Sequence, residues 1–237
     1  MKRSTMLSLL VLFLLIPGTL YLGTVLPGRS YYLTSTLIIG ETMLPFFFLF
    51  ESRKPQAREL VTIAVMCALA TVSRIAFAFL PGFKPITALV MITGIAFGPE
   101  AGFMTGAISA FASNLFYSQG PWTPWQMMAY GVAGFLSGLL FHKKRPFADK
   151  PWLSSAVLAV YGFFAIVCIV GPLLDTCSVF TVGARITGKF VLAVYSAGLI
   201  PNLIHGAATA VTMFPVCRPL LGKLDRLRIN YGMMEVD

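Results

Sequence analysis

The sequence predicts an all-α integral membrane protein with eight transmembrane helices, and three observations predict it. Apolar residues fill 57% of the 237 positions and charged residues only 11%, whereas soluble domains run near one quarter charged. The apolar residues fall into eight runs separated by short polar breaks, and about 20 such residues suffice to cross the hydrocarbon of a bilayer. No run alternates with a period of two, as the strands of a membrane barrel would. In lipid the backbone must then satisfy its own hydrogen bonds as helices.

The first run is Met6 to Leu26, following Lys2 and Arg3. It is long enough to span, and no small-x-small cleavage site follows it cleanly, so a retained helix is favoured over a signal peptide. The second run, Tyr31 to Phe50, carries Glu41 near its middle. A short charged linker with a proline, Glu51 to Glu59, separates these two from the rest. Six further runs follow: Leu60 to Leu80, Ile86 to Phe97, Ala101 to Tyr117, Trp125 to Phe141, Trp152 to Leu174 and Phe190 to Val216. The domain reading is a two-helix extension over 1–56, a six-helix core over 57–216 and a basic tail over 217–237. That tail has apolar residues spaced among its charges and is expected to lie as an interfacial helix near anionic lipid. Between the fourth and fifth runs, Gly98 suits a left-handed helix end, Pro99 a first helical turn and Glu100 a positive N-terminus, which predicts a tight helical hairpin.

Net charge is +9. The basic residues sit in loops and tails without aromatic interleaving, so they point to membrane orientation and not to nucleic acid. With the N-terminus inside, Lys2, Arg3, Arg53, Lys54, Arg58, Lys143, Lys144, Arg145, Lys150, Arg218, Lys223, Arg226 and Arg228 are cytoplasmic, and only Arg29, Lys84, Arg185 and Lys189 are outside. Both termini are therefore expected in the cytoplasm of a multi-pass cell-membrane protein. The four cysteines have neither C-x-x-C nor Cys/His metal spacing and are expected to be packing residues. Gly183 to Lys189 resembles the start of a phosphate-binding loop, but Phe190 stands where Ser or Thr should hold magnesium. It is a chance match, and ATP-driven work must come from another chain. No cofactor is expected in this one.

Arg74 lies about two thirds of the way across the third span, where a charge costs roughly 2.5–3.5 kcal/mol on insertion scales. Structural pairing and ligand contact are equally open for it, and an ion pair with Glu41 is one option. The densest polar and aromatic cluster runs from Asn114 to Gln126, with Tyr117, Gln119, Trp122 and Trp125 between them. Interfacial aromatics are ordinarily belt anchors. Yet Asn114 and Gln126 have no cheap partner in lipid, and amides beside tryptophans suit a flat polar organic ligand. In the eighth span Asn202 and His205 lie three apart on one face; a satisfied bundle histidine is the commoner case, a binding residue the other. Gly102-x-x-x-Gly106, Gly134-x-x-x-Gly138 and Ala64-x-x-x-Ala68 let another backbone approach. For the glycines, packing within the chain is the simpler reading. Asp175 falls beyond the seventh span with no evident role.

From about Glu59 to Val216 the chain resembles the substrate-binding S-components of energy-coupling factor (ECF) vitamin transporters. The carrying residues are Ala64-x-x-x-Ala68, Arg74 with Pro81-Gly82-Phe83-Lys84-Pro85, the Gly94 to Gly106 hairpin, Ser113-Asn114, and Gln119 to Gln126. The resemblance implies a six-helix binding subunit that captures a vitamin outside. It also implies docking through the small-residue first core helix on a transmembrane coupling subunit, with two ATPase subunits driving inward release. Carried over, docking falls on Ala64 and Ala68, and binding near the outer mouth on the Phe83–Lys84 loop and polar residues of later spans. The candidate binding set is thus Arg74, Lys84, Asn114, Gln119, Trp122, Trp125, Gln126, Asn202 and His205. The signature resembles S-components for cobalamin or its precursors more than those for riboflavin or biotin. The two extra N-terminal helices depart from the six-helix pattern. A secondary transporter or channel working without ATPases is the alternative, although no inverted repeat is evident. An intramembrane enzyme would need clustered ionisable groups, and Glu41, Arg74 and His205 lie in three separate spans.

Overall fold

A computed structural model describes residues 6–7, 10–25, 30–52, 55–147, 149–182 and 185–231. Its described residues are helical, with no strand among them. We label the helices α1 (Ile16–Val25, entered through a π-helical turn Val11–Leu15), α2 (Ser30–Ser52), α3 (Ala57–Ala76), α4 (Ile86–Phe97), α5 (Pro99–Tyr117), α6 (Trp122–Phe141), α7 (Pro151–Ala165), α8 (Gly171–Thr181) and α9 (Gly188–Tyr231). A π-helical turn, Ile166–Val170, joins α7 to α8, so the two run on as one apolar stretch, Pro151–Thr181. That stretch, with Leu33–Ser52, Ala57–Ala76 and Gly188–Asn230, is long and apolar enough to cross a membrane.

At the centre stands α4. Eleven of its twelve residues are buried, as expected of a helix that is apolar all round. At about 18 Å it is too short to cross about 30 Å of hydrocarbon alone, and α3, α5, α6 and α9 all pack against it. It stops at Gly98, where φ is 99° and ψ is 170°. Positive φ was expected there, but this is the extended mirror-image region and not the left-handed helical one, a conformation essentially reserved for glycine. Pro99 follows at the first turn of α5 with Glu100 behind it, which makes the anticipated hairpin.

Glycines set the spacing of α4, α5 and α6. A Cβ on Gly102 would lie 2.6 Å from the carbonyl carbon of Gly134, and one on Gly134 would lie 2.6 Å from that of Gly102. Gly106 faces the Gly131 nitrogen at 2.6 Å and Gly138 the Cα of Pro99 at 2.6 Å in the same sense. Both G-x-x-x-G pairs therefore serve packing within the chain, backbone on backbone. The extension docks on this block through aromatics. Phe46 of α2 stacks on Phe103 with centroids 4.0 Å apart and meets Phe135 edge-on at 5.1 Å.

One open option is decided and two sequence expectations need correction. Glu41 does not meet Arg74; it accepts a hydrogen bond from Thr19 of α1 across the extension. Residue 217 does not begin a separate interfacial helix. α9 passes unbroken through Pro201, Pro215 and Pro219 to Tyr231, because Cys217, Leu221 and Leu224 stay buried in the core. Arg145 of the α6–α7 loop clamps this end by two 2.6 Å bonds to the Asp225 carboxylate, which hold the guanidinium pKa above its usual value. Nor is Asp175 beyond the seventh span; it is buried within α8. Of the phosphate-loop-like segment, Gly183 and Ala184 lie outside the described residues, as do Lys2, Arg3, Arg29, Arg53 and Lys54 among the orienting charges.

The glycine seam gives a test. Gly134→Ala should lower the thermal midpoint of the detergent-purified protein, by about 1–3 kcal/mol of stability. Gly40→Ala, where a Cβ meets nothing within 4 Å, should be neutral or stabilising by up to about 1 kcal/mol. Equal midpoints for Gly134→Ala and wild type would contradict the seam.

Candidate functional site

Arg74 sits near the end of α3 and is only 7% exposed. Its Nη1 donates to Ser113 Oγ and, at 2.9 Å, to Asn114 Oδ1. The guanidinium carbon stands 4.6 Å from the centre of the Tyr117 ring, and the Tyr117 hydroxyl returns a 3.0 Å bond to the Arg74 carbonyl. The charge is thus held by three residues of α5, Ser113, Asn114 and Tyr117.

The network continues into α6. Asn114 Nδ2 donates to Gln126 Oε1 at 2.8 Å and to Thr123 Oγ1 at 3.1 Å. Thr123 in turn donates to Gln119 Oε1 at 2.9 Å, and Gln119 Nε2 to the Phe111 carbonyl at 3.0 Å. Ser118, between the two helices, takes φ 72°, an uncommon conformation for a residue with a side chain. Arg74, Asn114, Gln119 and Gln126 are therefore brought together, bonded to one another directly or through Thr123. Of the two amides that lacked a partner in sequence, Asn114 finds Arg74 40 residues away and Gln126 finds Asn114 12 residues away.

The remaining candidates separate. Asn202 and His205 share a helix yet serve different neighbours. Asn202 Nδ2 donates to Asp175 Oδ2 on α8 at 2.8 Å. His205, 2% exposed, meets Thr87 Oγ1 of α4 at 3.1 Å, and that hydroxyl meets Thr209 at 2.7 Å. Trp122 is 41% exposed and covers Gly120. Trp125 is 5% exposed and stacks on Phe180 of α8 with centroids 6.1 Å apart. Lys84 joins Arg74, Phe77, Phe83 and Tyr117 around a small cavity of about 150 Å³ under the α3–α4 loop.

Among the described residues four buried polar atoms have no hydrogen-bond partner, Glu41 Oε2, Trp125 Nε1 and the Tyr130 and Tyr161 hydroxyls, and two of these donors, on Trp125 and Tyr130, belong to α6. Buried donors are nearly always satisfied, so such exceptions call for an explanation. Tyr130 is fully buried, with its ring edge-on to His205 at 6.0 Å. Sequence reasoning missed Tyr130 because a tyrosine inside an apolar run looks like any packing aromatic.

Ala64 and Ala68 lie on the exposed face of α3. Val61, Val65 and Val72, each more than half exposed, flank them on that face.

A family model described as the ECF-type riboflavin transporter S component matches residues 54–220, well over half of the chain. Among curated proteins, a UPF0397 protein of Aliivibrio fischeri strain MJ11 is 30% identical over 117 residues, which is 45% of this chain and 63% of that protein. A UPF0397 protein of Vibrio atlanticus is 28% identical over 122 residues, 48% of this chain and 64% of its own length. A third, of Aliivibrio salmonicida, is 29% identical over 117 residues, 45% and 63%. The alignment spans just under two thirds of the relatives' lengths. No solved structure matches the chain.

Asn114→Ala strips Arg74 of an acceptor and leaves Gln126 and Thr123 without their shared donor. It should destabilise the purified protein by about 1.5–3 kcal/mol, the range for a bond to a charged group, read as a lowered thermal midpoint. An unchanged midpoint would show that Arg74 draws its stability elsewhere.

Proposed function

The chain belongs to the ECF-type riboflavin transporter S-component family, and from that premise we propose that it captures riboflavin or a close flavin outside the cell and hands it inward. The single observation that carries this reading is the family match over residues 54–220. It embraces α3 to α8 and most of α9, the helices that hold the polar knot, His205 and the unbonded donors of Trp125 and Tyr130. The cobalamin expectation is dropped, because the matching family is described by riboflavin.

Chemistry supports the choice of ligand. An isoalloxazine ring is flat, and it presents carbonyl and ring-nitrogen acceptors along one edge. Trp125 and Phe180 offer aromatic faces. Trp125 Nε1 and the Tyr130 hydroxyl offer donors that the chain leaves unused. The cavity beneath the α3–α4 loop, about 150 Å³, is below the roughly 300 Å³ at which pockets for such molecules begin. Trp125, Tyr130 and Phe180 do not line that cavity, so the proposed seat is one that a flavin opens on entry, with the loop of Phe83 and Lys84 as the part that moves. Arg74 and Asn114 act from behind, fixing α3, α5 and α6 against one another.

In this reading the chain performs no catalysis, crosses the cell membrane eight times and keeps both termini in the cytoplasm. ATP hydrolysis resides in two partner ATPases, and a coupling subunit docks on the Ala64–Ala68 face of α3. The lipid-exposed valines around those alanines favour a helix partner, since small residues allow close backbone approach.

Trp125→Phe and Tyr130→Phe each remove one donor while keeping the ring. Each should weaken riboflavin binding by about 0.5–1.5 kcal/mol, roughly two- to tenfold, measured as quenching of flavin fluorescence by the purified chain. Stability should not fall, since the lost group had no partner. Wild-type affinity in both variants would remove these residues from the site. Ala64→Leu with Ala68→Leu should spare binding and abolish uptake in cells; normal uptake would refute the docking face.

A further inference from the structure

An apolar groove of about 640 Å³ runs between α7 and α9 on the outside of the bundle. Ala159 is buried at its base, while Phe164 and Phe214 stand more than half exposed beside it. Small residues at Ala156, Ala159 and Ala210 keep the groove open between the larger side chains. From Ala156 to Phe164 the helix rises about 12 Å, close to half of a hydrocarbon core of about 30 Å.

One end of the groove becomes polar. A recess of about 450 Å³ continues from Phe214 and Pro215 to Trp152, Ser155 and Arg218. A second, of about 210 Å³, joins Arg218 and Ser155 to Ser154 and the Arg145–Asp225 pair. Asp225 neutralises Arg145 through two hydrogen bonds. Arg218 is exposed, and no carboxylate pairs with it among the described residues. Trp152, 66% exposed, stands at the mouth as interfacial tryptophans do.

We infer that this groove seats an anionic phospholipid. One acyl chain lies between α7 and α9, and the headgroup phosphate pairs with the Arg218 guanidinium beside the Ser154 and Ser155 hydroxyls. Charge complementarity selects this occupant: a basic recess at the end of an apolar channel of leaflet depth matches a lipid with a negative headgroup. A partner helix would fill the apolar channel but has no reason to leave a cation waiting at its end.

The full-length protein in nanodiscs of equal phosphatidylglycerol and phosphatidylcholine, extracted and examined by native mass spectrometry, tests this. Wild type should retain phosphatidylglycerol over phosphatidylcholine by about fivefold, the effect of one interfacial cation. Arg218→Gln, at an exposed position, should bring the two lipids to parity. Ala210→Phe, which fills the groove, should reduce retention of both. Equal retention of the two lipids by wild type, or an unaltered preference in Arg218→Gln, would overturn the proposal. Unaltered retention in Ala210→Phe would overturn the acyl seat and leave a partner helix as the occupant.

Discussion

Backbone contact between α4, α5 and α6 is the constraint on which the rest of this structure depends. In lipid there is no hydrophobic drive to bring apolar helices together, so close packing must supply the association. Gly94, Gly102, Gly106, Gly134 and Gly138 supply it by letting backbone meet backbone at their positions. The result is a block in which α4, buried on all sides, is too short to stand alone. α3 and α9 then pack around α4, and α2 seals the far side of α5 and α6 with Phe46 and Phe47 against Phe103.

The block makes an otherwise costly charge tolerable. Arg74 would carry a penalty of a few kcal/mol in bare hydrocarbon. Here the seam sets α5 at a fixed distance and register, so that Ser113, Asn114 and Tyr117 meet the guanidinium together. The short α5–α6 connection, with Ser118 in a rare backbone conformation, brings Thr123 and Gln126 round to complete the network. The network leaves the donors of Trp125 and Tyr130 unconsumed, and these are the groups that the proposed flavin site uses.

Much of this was legible in sequence, for physical reasons. Long apolar runs and the Gly98-Pro99-Glu100 punctuation fix helices and one hairpin from local rules alone. The glycine spacing announced close approach, though not between which helices. The segment from Asn114 to Gln126 was recognised as a polar cluster, and Asn114, Gln119 and Gln126 do lie together, but that Arg74 joins them was not foreseen. Partner choice was not legible. Asn114 finds Arg74 forty positions away, Asn202 finds Asp175, and Arg145 finds Asp225 eighty positions away. No local pattern encodes such pairings, because they follow from how α3, α7 and α9 wrap the central block. The same ignorance let Asp175 pass as a loop residue and the end of α9 as a separate helix. The helix carries three prolines, and the burial of Cys217, Leu221 and Leu224 shows why it continues past them.

The division of labour, capture here and energy elsewhere, can be tested in one measurement. The purified chain is reconstituted into sealed vesicles and supplied with external radiolabelled riboflavin, with an ion gradient but no ATPase. The account predicts binding that saturates near one flavin per protein and no accumulation in the lumen, with accumulation appearing only when an ECF module and ATP are added. Concentrative uptake by the chain alone would contradict it and restore a secondary transporter.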